Sequence, residues 1–300
     1  MKKKTYLFTL MAMALTLGSC SDNENGIGGE TSKYITVSTS IGNMTRVATD
    51  EKGGQTFEEG DEISVYAWTG DATVAPETSE RVVNNAINKL TNGSWVSTPQ
   101  MLWKNNRDKH YFIGVYPTAA ISDLSAGEYT FDVNKQTESD LLVAVNKDGL
   151  SYNVDEQQTV PLTFTHVMAK LVVNLTYKNQ WGGIPTVEKV VVGNAAKEAT
   201  INYLTKVVTP STTAKEDFSL PEITENTKYV SVIIPQEDVK QLTIVIGGKN
   251  FVYDNGTPFK LESGKITTVN LEVGRDEIKL GDVKITNWED GSTFSGEALN

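Results

Sequence analysis

Cysteine is almost missing from this chain of 300 residues, which has only Cys20. A single cysteine excludes an internal disulfide framework and a cysteine-rich metal site. Histidine is nearly as scarce, with His110 and His166 alone. They lie on different expected strands, and neither sits beside a nucleophile and an orienting carboxylate, so a Ser/His/Asp hydrolase lacks its parts. Each histidine reads as a strand residue satisfied by a backbone hydrogen bond. Arginine occurs only at 46, 81, 107 and 275, and the formal charge is −11. Without a basic patch, neither nucleic acid nor anionic lipid is an expected electrostatic partner. Beyond the first segment no apolar run approaches the ~20 residues of a spanning helix.

What is present begins with a targeting signal. Residues 1–20 carry Lys2, Lys3 and Lys4, then an apolar run from Leu7 to Leu17, then Leu17-Gly18-Ser19-Cys20. This is the pattern of a secretory signal peptide, too short to stay as a transmembrane helix. Small residues before Cys20 suit a bacterial lipobox, in which the thiol becomes thioether-linked to diacylglycerol; an ordinary cleavage site beside a chance cysteine is the other reading. Several acyl chains on one residue anchor stably where one would not. Residues 21–32, opening with SDNENGIGGE, form a polar, glycine-rich spacer.

From Lys33 onward, short β-branched and aromatic runs alternate with Gly, Asn, Asp and Pro clusters, the pattern of an all-β protein. Strands are expected at Ile63–Trp68, Tyr111–Tyr116, Leu141–Val145, Val160–Thr165 and Met168–Tyr177. The second half adds Val187–Val192, Ala199–Tyr203, Tyr229–Ile234, Leu242–Ile246, Asn250–Tyr253 and Ile266–Val273. In residues 34–41, Ile35, Val37, Thr39 and Ile41 share one face of a strand and Tyr34, Thr36, Ser38 and Ser40 the other. Glu80–Leu90 alone has helical spacing, in Val83, Ile87 and Leu90. One sandwich of this length would be large, so two in tandem are expected, 33–167 and 168–300, divided near Thr165–Lys170. Arg275–Gly281 reads as a linker before a last strand within a tail of residues 282–300.

Catalytic constellations are sparse. The pairs Asp61-Glu62, Asp155-Glu156 and Glu237-Asp238 fall at turns and read as solvated loops. Residues 146–149 hold too few oxygen ligands for a calcium loop. Of the five tryptophans, Trp103 and Trp181 lie in polar or glycine-rich context and are candidates to stack on a sugar. No enzyme class, metal or cofactor is expected.

Phe57–Ala67 (FEEGDEISVYA), Ser139–Ala144 (SDLLVA), Leu162–Leu171 (LTFTHVMAKL) and Ile285–Trp288 (ITNW), taken in this order, resemble the fimbrillin family of Bacteroidales pilins. The resemblance spans essentially the whole chain. It implies two transthyretin-like β-sandwiches and assembly into fimbriae with other subunits, with Cys20 lipidated and the acidic residues after it directing surface export at the outer membrane. It also implies that an arginine-specific protease removes the first strand, 33–46, at the Arg46-Val47 bond, and that a neighbour's C-terminal strand fills the opened groove. Val283, Ile285 and Trp288 are the expected donor residues. A non-polymerising surface lipoprotein or tip adhesin that binds a glycan or host ligand is the alternative.

Overall fold

The computed structural model describes residues 33–42, 56–156, 158–254 and 256–288. Its first half contains β1 (Thr36–Ile41), β2 (Glu62–Thr69), β3 (Val83–Thr91), β4 (Ser94–Thr98), β5 (His110–Tyr116), β6 (Gly127–Thr130), β7 (Leu142–Leu150) and β8 (Thr159–His166). The second half contains β9 (Ala169–Tyr177), β10 (Val187–Ala196), β11 (Glu198–Asn202), β12 (Val207–Pro210), β13 (Lys215–Ser219), β14 (Glu222–Thr224), β15 (Lys228–Ile233), β16 (Gln241–Ile246), β17 (Lys249–Asp254), β18 (Lys265–Val273) and β19 (Ile278–Asn287). The protein is all-β, as its composition implied.

Seven strands form one sheet in the order β1-β8-β7-β5-β2-β3-β4. The sheet curls until its two edges approach: the Trp95 indole N–H donates to Thr39 Oγ1 at 3.0 Å, and Ile35 N–H donates to Met101 O at 3.0 Å. Inside the curl lie Ile35, Val37, Ile63, Val65, Phe112, Leu162 and Phe164. The interior strand β2 is buried on both faces, because alternate residues serve two cores. Ile63, Val65 and Ala67 point into the curl, while Tyr66 and Trp68 join the larger core of the second half.

That larger core is enclosed by the five-stranded sheet β14-β15-β9-β18-β19 and the four-stranded sheet β13-β10-β16-β17. Leu171, Val173 and Leu175 of β9 are buried in it as their alternation required. The three-stranded sheet β12-β11-β6 crosses the division between halves, since β6 pairs with β11 from Glu198↔Thr130 to Ile201↔Gly127.

Two expectations fail. Residues 83–91 form β3, not a helix. A bulge breaks the strand's period of two: Val65 and Ala67 of β2 oppose Ala86 and Val83, so three residues of β3 span what two span on β2, and Ile87, opposite Ser64, lies on the other face from Val83. Asn85 within it has φ 55°. The buried positions therefore step from 83 to 86, a helical interval inside a strand. Residues 278–281 are not linker but the first part of β19.

Candidate functional site: two terminal edge strands

The groove built by β1 follows from its alternation. Ile35, Val37 and Ile41 are buried, Ile35 at 2 % exposure, while Ser38 and Ser40 face solvent. β1 lies at the sheet edge, parallel to β8, in register from Thr36↔Thr159 to Ile41↔Phe164. Parallel pairing needs no turn between the partners, and here they are more than a hundred residues apart in sequence. β8 depends on it. Its pairs with β7 are Leu142↔His166, Val143↔Thr165 and Ala144↔Phe164, so among the described ladders Thr159–Thr163 pair with β1 alone.

The other edge of β1 faces β4 across a groove of about 900 Å³, lined by Phe57, Leu90, Trp95, Thr159 and Thr163 as well as β1 itself. Phe57 meets Trp95, Tyr116 and Phe164 edge-on at 5.3, 5.4 and 5.1 Å between ring centres. Such aromatic contacts fix a pocket's shape as well as burying area.

At the other end of the chain, β19 pairs antiparallel with β18, with a bulge opposite Val269–Leu271. The extra residue restores the phase of the apolar positions. Leu280 opposes Leu271 and Val283 opposes Val269, so Ile278, Leu280, Val283 and Ile285 all fall on the face that Leu271 and Val269 turn to the core. Ile278 and Leu280 are partly buried against the larger core, but Val283 and Ile285 are poorly covered, at 38 % and 40 % exposed. Trp288, just past the strand, is 8 % exposed.

The model of the fimbrillin-like family matches residues 45–288, leaving β1 outside and ending at Trp288. This chain belongs to the fimbrillin-like family. Fimbrillin-like proteins are structural and non-enzymatic. Solved structures with the same fold include a proposed cell adhesion protein of Bacteroides ovatus, 18 % identical with TM-score 0.62, covering 86 % of this chain and 98 % of that one. Another, from Bacteroides uniformis, is 18 % identical with TM-score 0.60, covering 86 % and 100 %. A fimbrial protein of Bacteroides vulgatus is 13 % identical with TM-score 0.50, covering 76 % and 93 %. No curated protein matches the chain.

In this fimbrillin-like chain Cys20, Arg46 and Val47 lie outside the described residues. Trp103 is buried, with Tyr152 stacked on it at 6.1 Å and Phe112 and His110 against it edge-on. It closes the sheet, since its backbone N–H donates to Lys33 O at 3.2 Å. Trp181 is half-buried; its indole N–H donates to Val273 O at 3.0 Å, and the Arg275 guanidinium lies over its ring at 5.6 Å. Both indoles are engaged in packing within the protein.

His110 is fully buried and bonded to backbone. Lys104 N–H donates to Nε2 at 3.0 Å, and Nδ1 faces Asp108 O at 3.1 Å. A carbonyl only accepts, so the neutral ring with its proton on Nδ1 satisfies both contacts. Burial pushes its pKa below the ordinary value, the Asp108 carbonyl opposing this. His166 differs from expectation: its Nδ1 meets a carboxylate oxygen, Asp140 Oδ1, at 2.8 Å.

Among the described residues no three His, Cys, Asp or Glu side chains converge to hold a metal, and no helix is long and apolar enough to cross a membrane. Sequence reasoning missed Phe57, Trp95, Ile278 and Leu280 as site residues. The Asn92-Gly93 pair between two short β-prone runs was a usable signal for Trp95. Both residues have positive φ, at 51° and 73°, and they make the tight turn joining β3 to β4.

Proposed function

We propose that this protein is a structural subunit of a cell-surface fimbria, held as a precursor at the outer membrane by a lipid on Cys20. Cleavage at Arg46-Val47 by an arginine-specific protease removes β1, and the C-terminal strand of a neighbouring subunit, through Val283, Ile285 and Trp288, replaces it. The halves 33–167 and 168–300 act as its two domains.

The observation that carries this reading is the construction of β1. It is an edge strand, so it can leave without threading through the sheet. Its buried side chains nonetheless complete a core: losing Ile35, Val37 and Ile41 re-exposes three side chains at about 1.5–3 kcal/mol each. That sum is comparable with the whole stability of a domain, about 5–15 kcal/mol. A groove that costly to leave empty favours a replacement strand, which restores the backbone hydrogen bonds and refills alternate pockets. The segment between β1 and the described residue Thr56 contains Arg46, in a run of small and polar residues suited to proteolysis.

The test treats lipid-free precursor with an arginine-specific protease. We expect a single early cut at Arg46-Val47 and then a series of SDS-resistant oligomers. Arg46→Ala should abolish both, and deletion of residues 282–300 should leave a folded, cleavable monomer that does not extend. If Arg46→Ala is processed and assembles like wild type, the mechanism fails at that bond.

A further inference from the structure

Four stretches far apart in the sequence meet where β8 passes into β9. Trp288 stacks on His166, with ring centres 4.0 Å apart and planes 6° from parallel. His166 Nδ1 lies 2.8 Å from Asp140 Oδ1, and Lys170 Nζ lies over the Trp288 ring at 5.3 Å, within cation–π range. The backbone joins in: Trp288 N–H donates to Gly264 O at 2.9 Å, and Gly264 N–H to Met168 O at 2.8 Å. Ser263 Oγ donates to Val167 O at 2.8 Å. Val283 and Ile285 are poorly covered, so beyond the backbone ladder to β18 and the bond from Lys265 Nζ to Asn287 Oδ1 at 2.6 Å, the side chain that anchors the end of the C-terminal strand is this indole.

We propose that Trp288 on the His166–Asp140 pair is a latch that parks the C-terminal strand, so that loss of β1 opens the acceptor groove without releasing the subunit's own donor. The proposal rests on the strand-exchange reading above and adds a second, separate gate to it. The separation follows from what holds each end of β8. The last pair between β1 and β8 is Ile41↔Phe164. His166, two residues on, is held from the other side, by its pairing with Leu142 and by Asp140. Val167 N–H also donates to Leu141 O at 3.0 Å. Removing β1 therefore deprives Thr159–Thr163 of a partner and leaves the seat of Trp288 in place. A cleaved subunit then has an empty groove and a tail still docked on itself, and the rate of chain growth is set by how often the latch opens.

Amide hydrogen exchange on the full chain reads this directly. His166→Ala removes the stacking partner without altering the tail. It should speed exchange in residues 278–287 about tenfold or more, with exchange in residues 36–41 unchanged as the control for folding. If that variant does not fold, Lys170→Ala, at a half-buried side chain, should give the same pattern at about threefold. Cutting the wild type after Arg46, or at a unique protease sequence inserted there, should leave exchange in 278–287 within about twofold of the intact chain. After the cut, His166→Ala should form oligomers several-fold faster than wild type. Unchanged exchange in both variants overturns the latch, and so does a cut that by itself deprotects 278–287 as strongly as His166→Ala. If exchange behaves as expected but no cleaved form oligomerises, the latch stands and the strand-exchange reading falls.

Discussion

β1 and β19 are both terminal edge strands, yet they are attached in opposite ways. β1 is held along its length, with alternate side chains sunk in the inner core and a parallel ladder that β8 needs as much as β1 does. β19 has a complete ladder to β18 but apolar side chains left half-uncovered, and it depends on Trp288 at its end. A strand buried at every second residue is hard to lose and easy to replace by another of the same pattern. A strand held by its ladder and by one buried side chain at its end gives up little apolar burial when it leaves. The first construction suits a groove that must be refilled, the second a segment that must be handed on.

The sharpest way to break this contrast is to truncate one matched residue on each strand. Ile35→Ala should lower stability by about 2–5 kcal/mol, the usual range for a buried isoleucine. Ile285→Ala, on a side chain already 40 % exposed, should cost no more than about 1 kcal/mol. Urea midpoints that move equally for both would erase the asymmetry. A smaller effect is expected at the groove rim. Trp95→Phe loses the bond to Thr39, worth about 0.5–1.5 kcal/mol, and should loosen β1 in hydrogen exchange while leaving β19 untouched.

Acid should act on the same side of the comparison, more gently still. His110 packs on Trp103, which closes the sheet against Lys33. Its folded pKa is lowered by burial from an unfolded value of about 6.5. The stability it adds is complete above pH 6.5 or so, and is lost as the pH falls through the window below, because only the unfolded chain takes up the proton. Exchange of β1 measured from pH 7 to 5 should therefore rise more than that of β19, relative to each strand's intrinsic rate, and His110→Gln should flatten the difference.

Individual strands were legible in the sequence wherever a run of β-branched residues kept a period of two, as in β2, β9 and β18. Legibility failed where that period is interrupted. At Asn85 a bulge broke the alternation, and near Gly281 another hid the continuity of β19 behind a polar stretch. Pairing was less accessible than the strands themselves. Nothing local announces that β1 runs parallel to β8 or that β6 joins β11, because those ladders are settled by which apolar faces can be buried together. At the site, the alternation of Ile35, Val37 and Ile41 was readable, as was the apolar content of Val283 and Ile285. The meeting of Asp140, His166, Lys170 and Trp288 was not, since side-chain stacking between distant segments leaves no spacing rule in the chain.

The partner of β1 also determines what can follow it. With β1 gone, Thr159–Thr163 presents a bare edge with Val160 and Leu162 behind it, open to any extended segment that arrives first. Pro161 does not interrupt that edge: Phe164 O accepts the Gly42 N–H, so Val160, Leu162 and Phe164 turn their backbone groups toward the vacated side, while the Pro161 carbonyl faces Asn146 of β7. The backbone there offers pairing to any extended segment alike. Discrimination therefore rests on the pockets that Val37 and Ile41 leave, which seat a strand with apolar residues at the right alternation and hold others poorly.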